Sequence, residues 1–441
     1  THEQRRAHDL GGKRRSDGGR SPEHRVTREL GERLGRHALH DTRAEPRREA
    51  VCRPPLAQIG LDDLARRHHP GPRDRVELDG RAVARDPDDV LGREAAAVQT
   101  QCLWSTPVVQ PVELTFLSGA DVARLELSDT EILDAVEDGL RAQGSGQARI
   151  EPRMHLEPDP ALRGHFNVLR GYLAPIQLAG VKVVGDYVDN YKLGLPSELG
   201  LLTLYDATNG MPVAIVDASD LTAMRTGALT ALGARYLARK GSRVLGHVGA
   251  RGSSYWNVRL LDRLFDFDEI RVHSRRPESR DDFARRLEQD LGKPVRATDT
   301  WEECLRGADV MVEATRLERP EPKLLTEWVE PGCLVIPYGT MSAVELTLTD
   351  VMDKVVVDDW GQARAGSFGA LRAHVDSGRL DEESLHAELC EIVVGDKPGR
   401  ESDDERILFW HRGLSLSDIA LGHAMLEKAR ALGIGQTLSV S

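Results

Sequence analysis

A glycine turn between an apolar run and a helical run is the segment of this sequence best suited to bind an anion. Val244–Val248 predicts a buried strand, Gly249 and Gly252 follow it, and Ser254–Phe265 predicts a helix. Gly249 permits a tight bend, and Gly252 lets the backbone approach a ligand at the helix N-terminus, where free N–H groups attract negative charge. The spacing is G-x-x-G, with Arg251 where the middle glycine of G-x-G-x-x-G would stand. The turn alone is therefore weak evidence for a dinucleotide site.

The next predicted strand, Glu269–His273, ends in basic residues. NAD sites usually place an acid there for the ribose hydroxyls, whereas arginine suits the 2′-phosphate of NADP. We therefore expect a βαβ unit that favours NADP(H) over NAD(H), unless the two arginines that follow the strand, Arg275 and Arg276, belong to a solvated loop. The cofactor-binding residues predicted from this unit are Gly249, Arg251, Gly252, Ser253, Ser274, Arg275 and Arg276.

Lys182 is the one charged residue in the run Val181-Lys-Val-Val. A lysine buried without a partner is costly. Either this lysine serves a polar site, or its strand lies at a sheet edge where the side chain faces water.

The elements around these residues alternate between helices and strands from about Val112 onward. An amphipathic helix is predicted over residues 129–142, and a longer one over 221–237 leads into Val244. Further helices are predicted over 280–291, 300–306, 381–393 and 417–432. Strands are predicted over 166–172, 177–184, 200–206, 212–217, 309–314, 333–337 and 355–358, and the run 407–411 has no assigned type. Asn209-Gly210 predicts a hairpin between the strands 200–206 and 212–217. This alternation favours an α/β fold with a doubly wound sheet.

Composition excludes several classes of protein. The chain has 441 residues and a formal net charge of −12, so no nucleic-acid or membrane partner is expected. No apolar run is long enough to span a bilayer. The cysteines are scattered and form no CxxC pair, which indicates a reducing, cytoplasmic setting with neither a disulfide framework nor a metal site. They are Cys52, Cys102, Cys304, Cys333 and Cys390.

Residues 1–111 differ from the rest of the chain. They contain about twenty arginines but only Lys13 among lysines, and the first methionine of the chain is Met154. Poor hydrophobic periodicity predicts that this segment has no core of its own. We expect either a disordered extension or upstream sequence translated in an unintended frame or fused at cloning, and we assign it no function.

Several blocks in series resemble the ornithine cyclodeaminase/mu-crystallin family. They are Ala179-Gly-Val-Lys182, the Gly194-Leu-Pro turn, Leu204-Tyr-Asp-Ala-Thr-Asn-Gly-Met-Pro, Leu221-Thr-Ala-Met-Arg-Thr-Gly-Ala and Gly413-Leu-Ser-Leu-Ser-Asp418-Ile-Ala. The resemblance implies a Rossmann-type NADP-binding domain over 229–404. It also implies a second α/β domain for substrate binding and dimerisation over 112–228 plus 405–441, and usually a homodimer.

The resemblance also implies roles for individual residues. Arg225 would hold the carboxylate of an amino or imino acid, and Lys182 would polarise the substrate and relay a proton. Arg153 and Asp418 match other substrate-facing positions. Thr315, Tyr338 and Gly339 follow predicted strands and would lie near the nicotinamide, since ligands bind at the carboxyl ends of parallel strands.

One departure from the family concerns the reaction. Cyclodeaminases carry an aspartate shortly after the position of Gly339, where this chain has Met341 or Ser342. A methionine cannot do acid–base work, so ornithine cyclisation is in doubt, although Glu345, Asp350 or Asp189 could supply a carboxylate.

The sequence therefore favours an NADP(H)-dependent enzyme that acts on the C–N bond of a small α-amino or imino acid by hydride transfer. One alternative is a cyclodeaminase that releases ammonia and forms a cyclic amino acid. Another, from a different class, is a non-catalytic, crystallin-like nucleotide-binding protein, against which the presence of both Lys182 and Arg225 argues.

Overall fold

The computed structural model describes residues 110–440, in which the strands form two sheets. The prediction for residues 1–111 concerns a segment almost all of which is outside this range. The strands are β1 (Glu113–Leu117), β2 (Ala148–Leu156), β3 (Gly164–Leu173), β4 (Leu178–Tyr187), β5 (Glu198–Asp206), β6 (Pro212–Asp217), β7 (Val244–Val248), β8 (Glu269–His273), β9 (Val295–Ala297), β10 (Val310–Glu313), β11 (Leu334–Pro337), β12 (Lys354–Val357), β13 (Ala387–Glu388), β14 (Ile407–Trp410) and β15 (Gln436–Ser439).

Helices connect and cover these strands. They are α1 (Gly119–Arg124), α2 (Asp129–Gly144), α3 (Ala218–Leu237), α4 (Ser254–Phe265), α5 (Pro277–Leu291), α6 (Trp301–Leu305), α7 (Trp360–Ala363), α8 (Arg372–Asp376), α9 (Leu389–Val394) and α10 (Ser415–Leu432). Ser118 and Ser128 cap α1 and α2 in reciprocal capping boxes, which explains where both helices begin. No helix within residues 110–440 is long and apolar enough to cross a membrane.

The eight-stranded sheet is parallel throughout, in the order β13-β12-β14-β11-β10-β7-β8-β9. Its central strands are buried on both faces, which explains apolar runs such as Val310-Met-Val. After β7 the chain proceeds toward one edge of the sheet, and after β9 it returns to the other side of β7. The loops that follow β7 and β10 therefore diverge and leave a crevice. The predicted doubly wound α/β fold is confirmed, with the glycine turn at this crevice.

The seven-stranded sheet is mixed, in the order β15-β1-β6-β5-β4-β3-β2. Its antiparallel strands include the predicted hairpin of β5 and β6, in which Gly210 has a φ of +79° and donates to Asp206 O at 2.8 Å. β4 lies between β3 and β5, and alternate residues of β4 face a covered surface. Lys182 is on that covered side, so the alternative of an edge-strand lysine facing water is wrong.

Among the parts of the chain that differ from the sequence prediction, three have a local physical reason. The helical run over 381–393 is wrong, because Asp381 and Ser384 hydrogen-bond each other's backbone in a turn and β13 pairs with β12 before α9 begins. β2 was not predicted, since its register shifts between Glu151 and Met154 and disturbs the alternation. β15 is a short, exposed edge strand with a weak pattern.

The pairing of β14 bears on the predicted domain boundary. Residues 405–441 were assigned to the substrate-binding domain, but β14 pairs with β11 and β12 in the eight-stranded sheet. We therefore propose that the chain leaves the nucleotide-binding domain after Trp410. Earlier in the chain, α3 leads from the seven-stranded sheet to the eight-stranded sheet, and it packs against β5 as well as β11 and β14.

The crossing of α3 and α4 depends on a glycine. Gly227 lies in the middle of α3, and a Cβ built there would be 2.6 Å from the backbone carbon of Trp256 in α4. The two helix backbones can approach this closely only because Gly227 has no side chain.

We expect Gly227→Ala to lower the free energy of unfolding by about 1–3 kcal/mol, because the added methyl must push the helices apart. Gly241→Ala is the matched control, since a Cβ there meets nothing within 4 Å, and it should stay within about 0.5 kcal/mol of wild type. Urea unfolding of both variants checks this. Equal stabilities would show that the crossing adapts without cost.

Candidate active site

Three charged side chains from three separate elements meet inside the protein. Lys182 is on β4, Arg225 is on α3 and Asp418 is in the first turn of α10. Lys182 Nζ and Arg225 Nε lie 2.6 Å and 2.8 Å from Asp418 Oδ1, and the three side chains are at most 7 % exposed. The structure thus joins three of the four residues for which sequence analysis predicted a substrate role.

The charges in this group do not balance. Burial and, to a smaller extent, the nearby Arg225 lower the pKa of Lys182 to about 7, although Asp418 opposes both effects. Lys182 also donates to Thr222 Oγ1 at 3.2 Å. Asp418 Oδ2 is buried and accepts no hydrogen bond within residues 110–440. Two cations therefore share one oxygen of one carboxylate, which leaves a positive pocket suited to an anion.

Arg153, the fourth predicted residue, approaches the same pocket from β2. Its Nη2 donates to the carbonyls of Arg412 and Gly413, the latter at 3.0 Å. Burial and the like charges of Arg412 and Arg225 lower the pKa of Arg153 to about 9, against the opposing effect of Asp358 and Asp418. Arg153 therefore adds a third cation within electrostatic range of the Lys182–Asp418–Arg225 group.

A buried aspartate shapes the backbone beside Arg225. Asp358 follows β12, and its Oδ2 accepts the N–H groups of Arg412 and Gly413, each at 2.8 Å. Burial raises the pKa of Asp358 to about 6. Gly413 has a φ of +84°, and a Cβ there would overlap Arg225 Nη1. Asp358 and Gly413 together let the chain pass directly against the guanidinium.

The predicted cofactor turn lies at the crevice of the eight-stranded sheet. Gly249 has a φ of +118°, and a Cβ there would lie 2.6 Å from Ala314 O on the loop after β10. Its N–H donates to His273 O at 2.9 Å, which ties the turn to the end of β8. No side chain caps the first turn of α4, so N–H groups there remain available to an anion.

The basic residues near this turn point into solvent. Arg251, Arg275 and Arg276 are exposed, and Ser274 is partly buried. None of the three guanidinium groups forms a hydrogen bond or ion pair with another residue in the described range. They are therefore free to meet a ligand phosphate, although their exposure alone does not distinguish this from a solvated loop.

The remaining predicted cofactor residues cluster on the other side of the crevice. Thr315 N donates to Glu313 Oε1 at 2.7 Å, and Thr315 Oγ1 donates to the same oxygen. Gly339 N donates to Glu313 Oε2 at 3.1 Å. Tyr338 OH lies 2.8 Å from Ser253 Oγ, so the loops after β7, β10 and β11 are joined by side-chain hydrogen bonds.

Tyr338 marks where the two halves of the site adjoin. Burial, with a smaller contribution from the charge of Glu313, raises its pKa to about 12, while the hydrogen bonds of Ser253 and Asn257 and the charge of Arg225 oppose the rise. Its ring stacks on that of His411, with ring centroids 4.6 Å apart. Charges of the crevice and of the substrate pocket thus both act on one side chain.

Sequence reasoning missed a buried polar network behind Tyr338. Asn257 Nδ2 donates to Tyr338 OH and to His247 Nε2, and His247 Nδ1 in turn faces Gly249 O at 3.1 Å. Glu313 and Asp358 were likewise not assigned a role. The available signal was a polar residue at the end of a buried parallel strand, a pattern shared by His273, Glu313, Asp358 and His411.

The acids considered as substitutes for the cyclodeaminase aspartate all have other partners. Glu345 Oε2 accepts Thr326 N at 2.9 Å, Asp350 pairs with Arg379 and Asp189 pairs with Lys192. Ser342 is buried, and its Oγ accepts Ala373 N at 3.1 Å. Ser342 thus holds a loop in place, and Met341 remains without acid–base capability.

The fold and the site define a nucleotide-dependent α/β enzyme with a buried cationic pocket beside its nucleotide crevice. The chain matches the ornithine cyclodeaminase/mu-crystallin family over residues 112–432 and belongs to it. This confirms the predicted family and enzyme class, an NAD(P)-dependent oxidoreductase or cyclodeaminase.

This chain covers nearly the whole length of three relatives. Alanine dehydrogenase from Archaeoglobus fulgidus is 32 % identical, over 74 % of this chain and 98 % of its own. The Thermococcus litoralis Δ(1)-pyrroline-2-carboxylate reductase structure, in complex with NADH and L-proline, is 28 % identical with a TM-score of 0.68, covering 73 % and 99 %. The Paracoccus denitrificans iminosuccinate reductase structure, in complex with NAD⁺, is 25 % identical with a TM-score of 0.67, covering 74 % and 100 %.

We expect Asp418→Asn to lower the free energy of unfolding by about 3–5 kcal/mol, because it leaves Lys182 and Arg225 buried without a counter-charge. Asp350→Asn, which removes an exposed pair with Arg379, should cost less than about 1 kcal/mol. Chemical denaturation at pH 7 checks both. Similar losses in the two variants would contradict the special status of the buried carboxylate.

Proposed function

We propose that the protein is an NADP(H)-dependent enzyme that transfers hydride at the C–N bond of a small α-amino or imino acid. Net imine reduction or amino-acid dehydrogenation is favoured over cyclodeamination. The observation that carries this proposal is the Lys182–Asp418–Arg225 group. It combines a lysine able to exchange a proton near neutral pH with spare positive charge for a carboxylate.

The residues present fit a nicotinamide dinucleotide. Gly249 leaves space where a side chain would collide with Ala314 O, and the uncapped start of α4 suits a pyrophosphate. Arg275 and Arg276, which have no side-chain partner among residues 110–440, would bind a 2′-phosphate. When bound, such a cofactor supplies or accepts the hydride.

Arg225 and Arg153 would hold the substrate carboxylate. Arg225 has used its Nε on Asp418, so its terminal nitrogens remain for a ligand. Arg153 is close enough for its charge and that of Arg225 to affect each other. A carboxylate placed between them would offset the excess charge of the pocket, which gives affinity and orientation together.

Lys182 would exchange the proton at the substrate nitrogen. In imine reduction the protonated amine donates to the nitrogen as the carbon receives hydride, and in the reverse reaction the neutral amine accepts. Asp418 holds Nζ in place and favours the protonated form. General acid–base catalysis works best with a pKa near the working pH.

The named activities of the relatives support a reaction at an amino or imino carbon. They are an alanine dehydrogenase, a pyrroline-2-carboxylate reductase and an iminosuccinate reductase. The two structures carry NADH and NAD⁺. The preference for NADP(H) therefore rests on the basic end of β8 in this chain.

Cyclodeamination is the second candidate function, because the family includes it. The partners already held by Glu345, Asp350 and Asp189 count against it.

We further propose a homodimer, since an archaeal alanine dehydrogenase with this fold is a dimer. In addition, β2, β4 and β5 expose apolar side chains, among them Met154, Leu156, Val183, Leu199 and Leu201. A cytoplasmic setting fits the buried free thiols of Cys304, Cys333 and Cys390.

Incubating the enzyme with amino, imino and keto acids plus ammonia, under NADP(H), tests the function. Stoichiometric nucleotide turnover supports the proposal, and proline formed from ornithine without net turnover would favour the cyclodeaminase.

We expect Lys182→Met to reduce kcat at least about 100-fold, whereas Lys192→Met, at an exposed position, should not change it. Imine reduction should decline above about pH 7, and oxidation should rise, as Lys182 loses its proton.

Replacing Arg275 and Arg276 together by Ala should weaken NADP binding at least about 10-fold and alter NAD binding less than about 3-fold, because only NADP carries the 2′-phosphate. Arg285→Ala on α5, an exposed arginine paired with Asp282, is the control and should change neither. Titration of nucleotide fluorescence measures both constants. An unchanged affinity for NADP in the double variant would refute the phosphate assignment.

A further inference from the structure

Glu313 occupies the centre of the nucleotide crevice. It is the last residue of β10, and it pairs in register with Val248 at the end of β7 and with Pro337 at the end of β11. The next residue, Ala314, is the one that approaches Gly249. The carboxyl group therefore lies where the two halves of a dinucleotide meet at the switch point of the sheet.

The surroundings of Glu313 suit an ionised carboxylate. Oε1 accepts from Thr315 N and Thr315 Oγ1, and Oε2 accepts from Gly339 N. All three partners donate, and two of them are backbone N–H groups that cannot do otherwise. A neutral amide or a protonated acid would bring a competing hydrogen toward these donors. A Cβ at position 339 would also collide with the carboxyl group, so Gly339 is required there.

Glu313 has no counter-ion in the part of the chain that the structure describes. The residue is completely buried. Among residues 110–440 no lysine, arginine or histidine forms an ion pair with it. Burial raises its pKa to about 7, against the opposing effect of the three hydrogen bonds. A buried anion without a cation is costly, and such groups concentrate at functional sites.

A nicotinamide bound in the crevice would explain why a buried, unpaired carboxylate is kept at this position. The adenosine half of a dinucleotide would lie over β7 and β8, where Arg275 and Arg276 stand, and the nicotinamide half would then lie over β10 and β11. The oxidised nicotinamide ring carries a positive charge and the reduced ring is neutral. We propose that Glu313 is a positioning residue whose negative charge makes the site bind the oxidised nicotinamide preferentially over the reduced one.

This inference rests on the proposed function for the presence of a nicotinamide, and it adds a direction to the reaction. In imine reduction the substrate carbon receives a hydride from the reduced cofactor, the C=N π electrons move to nitrogen, and nitrogen takes the Lys182 proton. A positive charge is left on the nicotinamide beside Glu313. The carboxylate therefore stabilises the state in which the amino acid has formed, and it favours hydride donation by the cofactor.

Dissociation constants of the oxidised and reduced nucleotides, measured for wild type and Glu313→Gln at pH 8, test the inference. We expect the ratio of the constant for the reduced form to that for the oxidised form to fall about tenfold in the variant, a change typical of one charge removed nearby. Thr315→Ser is the matched control, because it changes the same contact but keeps the hydroxyl donor and the charge of Glu313. It should shift both constants alike and leave their ratio within about twofold.

A ratio unchanged in Glu313→Gln would overturn the inference, since a purely structural role affects both nucleotide forms equally. If the glutamine variant fails to fold, Glu313→Thr replaces it, as a smaller neutral side chain suited to a strand end. The ratio is measured with NADP⁺/NADPH and with NAD⁺/NADH, because both pairs differ by the same ring charge. Tight binding with an unchanged ratio removes only the role of Glu313, whereas failure of every nucleotide to bind removes the proposed function as well.

Discussion

The carboxylate of Asp418 is the contact on which the arrangement of the substrate pocket depends. One of its oxygens accepts from both Lys182 of β4 and Arg225 of α3, which are 43 residues apart and precede Asp418 by 236 and 193 residues in the chain. Without that acid the pocket would place two cations in a buried volume. With it, the pocket retains a net positive charge that is still compatible with folding, and an arriving substrate carboxylate can offset the remainder.

The same helices and strand ends connect this pocket to the nucleotide crevice. α3 carries Arg225 and also packs on β11 and β14 of the parallel sheet. Asp358 binds the backbone after β14 so that Gly413 passes against Arg225. Because the nucleotide crevice lies at the carboxyl ends of parallel strands and α3 runs from that sheet to the pocket of Lys182 and Asp418, the distance between the two halves is set by the packing of the core.

The sequence was sufficient to predict the parts of the fold that depend on local pattern. The unit from β7 to β8, the hairpin at Gly210 and the capped helices follow from turn chemistry and periodicity. The family resemblance placed Lys182, Arg225 and Asp418 in one pocket, although no spacing in the chain predicts that they share an oxygen. Glu313 could not be interpreted, because the donors that make it an acceptor come from the following loop and from a second strand end. The turn at Asp381 resembles a helix in composition and differs only through its own side-chain hydrogen bonds.

From one end of the cleft to the other, the protein's charged groups are positive, then negative, then positive. Under the proposed function, the exposed arginines after β8 would lie at the adenosine end, the buried acid Glu313 near the nicotinamide half, and the cations Lys182, Arg225 and Arg153 around the substrate carboxylate. Each charge would then be opposite in sign to the ligand group beside it. Bound cofactor and substrate would compensate these charges and so contribute to the electrostatic balance of the folded state. Tyr338, on which both Glu313 and Arg225 act, lies at the point where the two ligand charges would compensate each other.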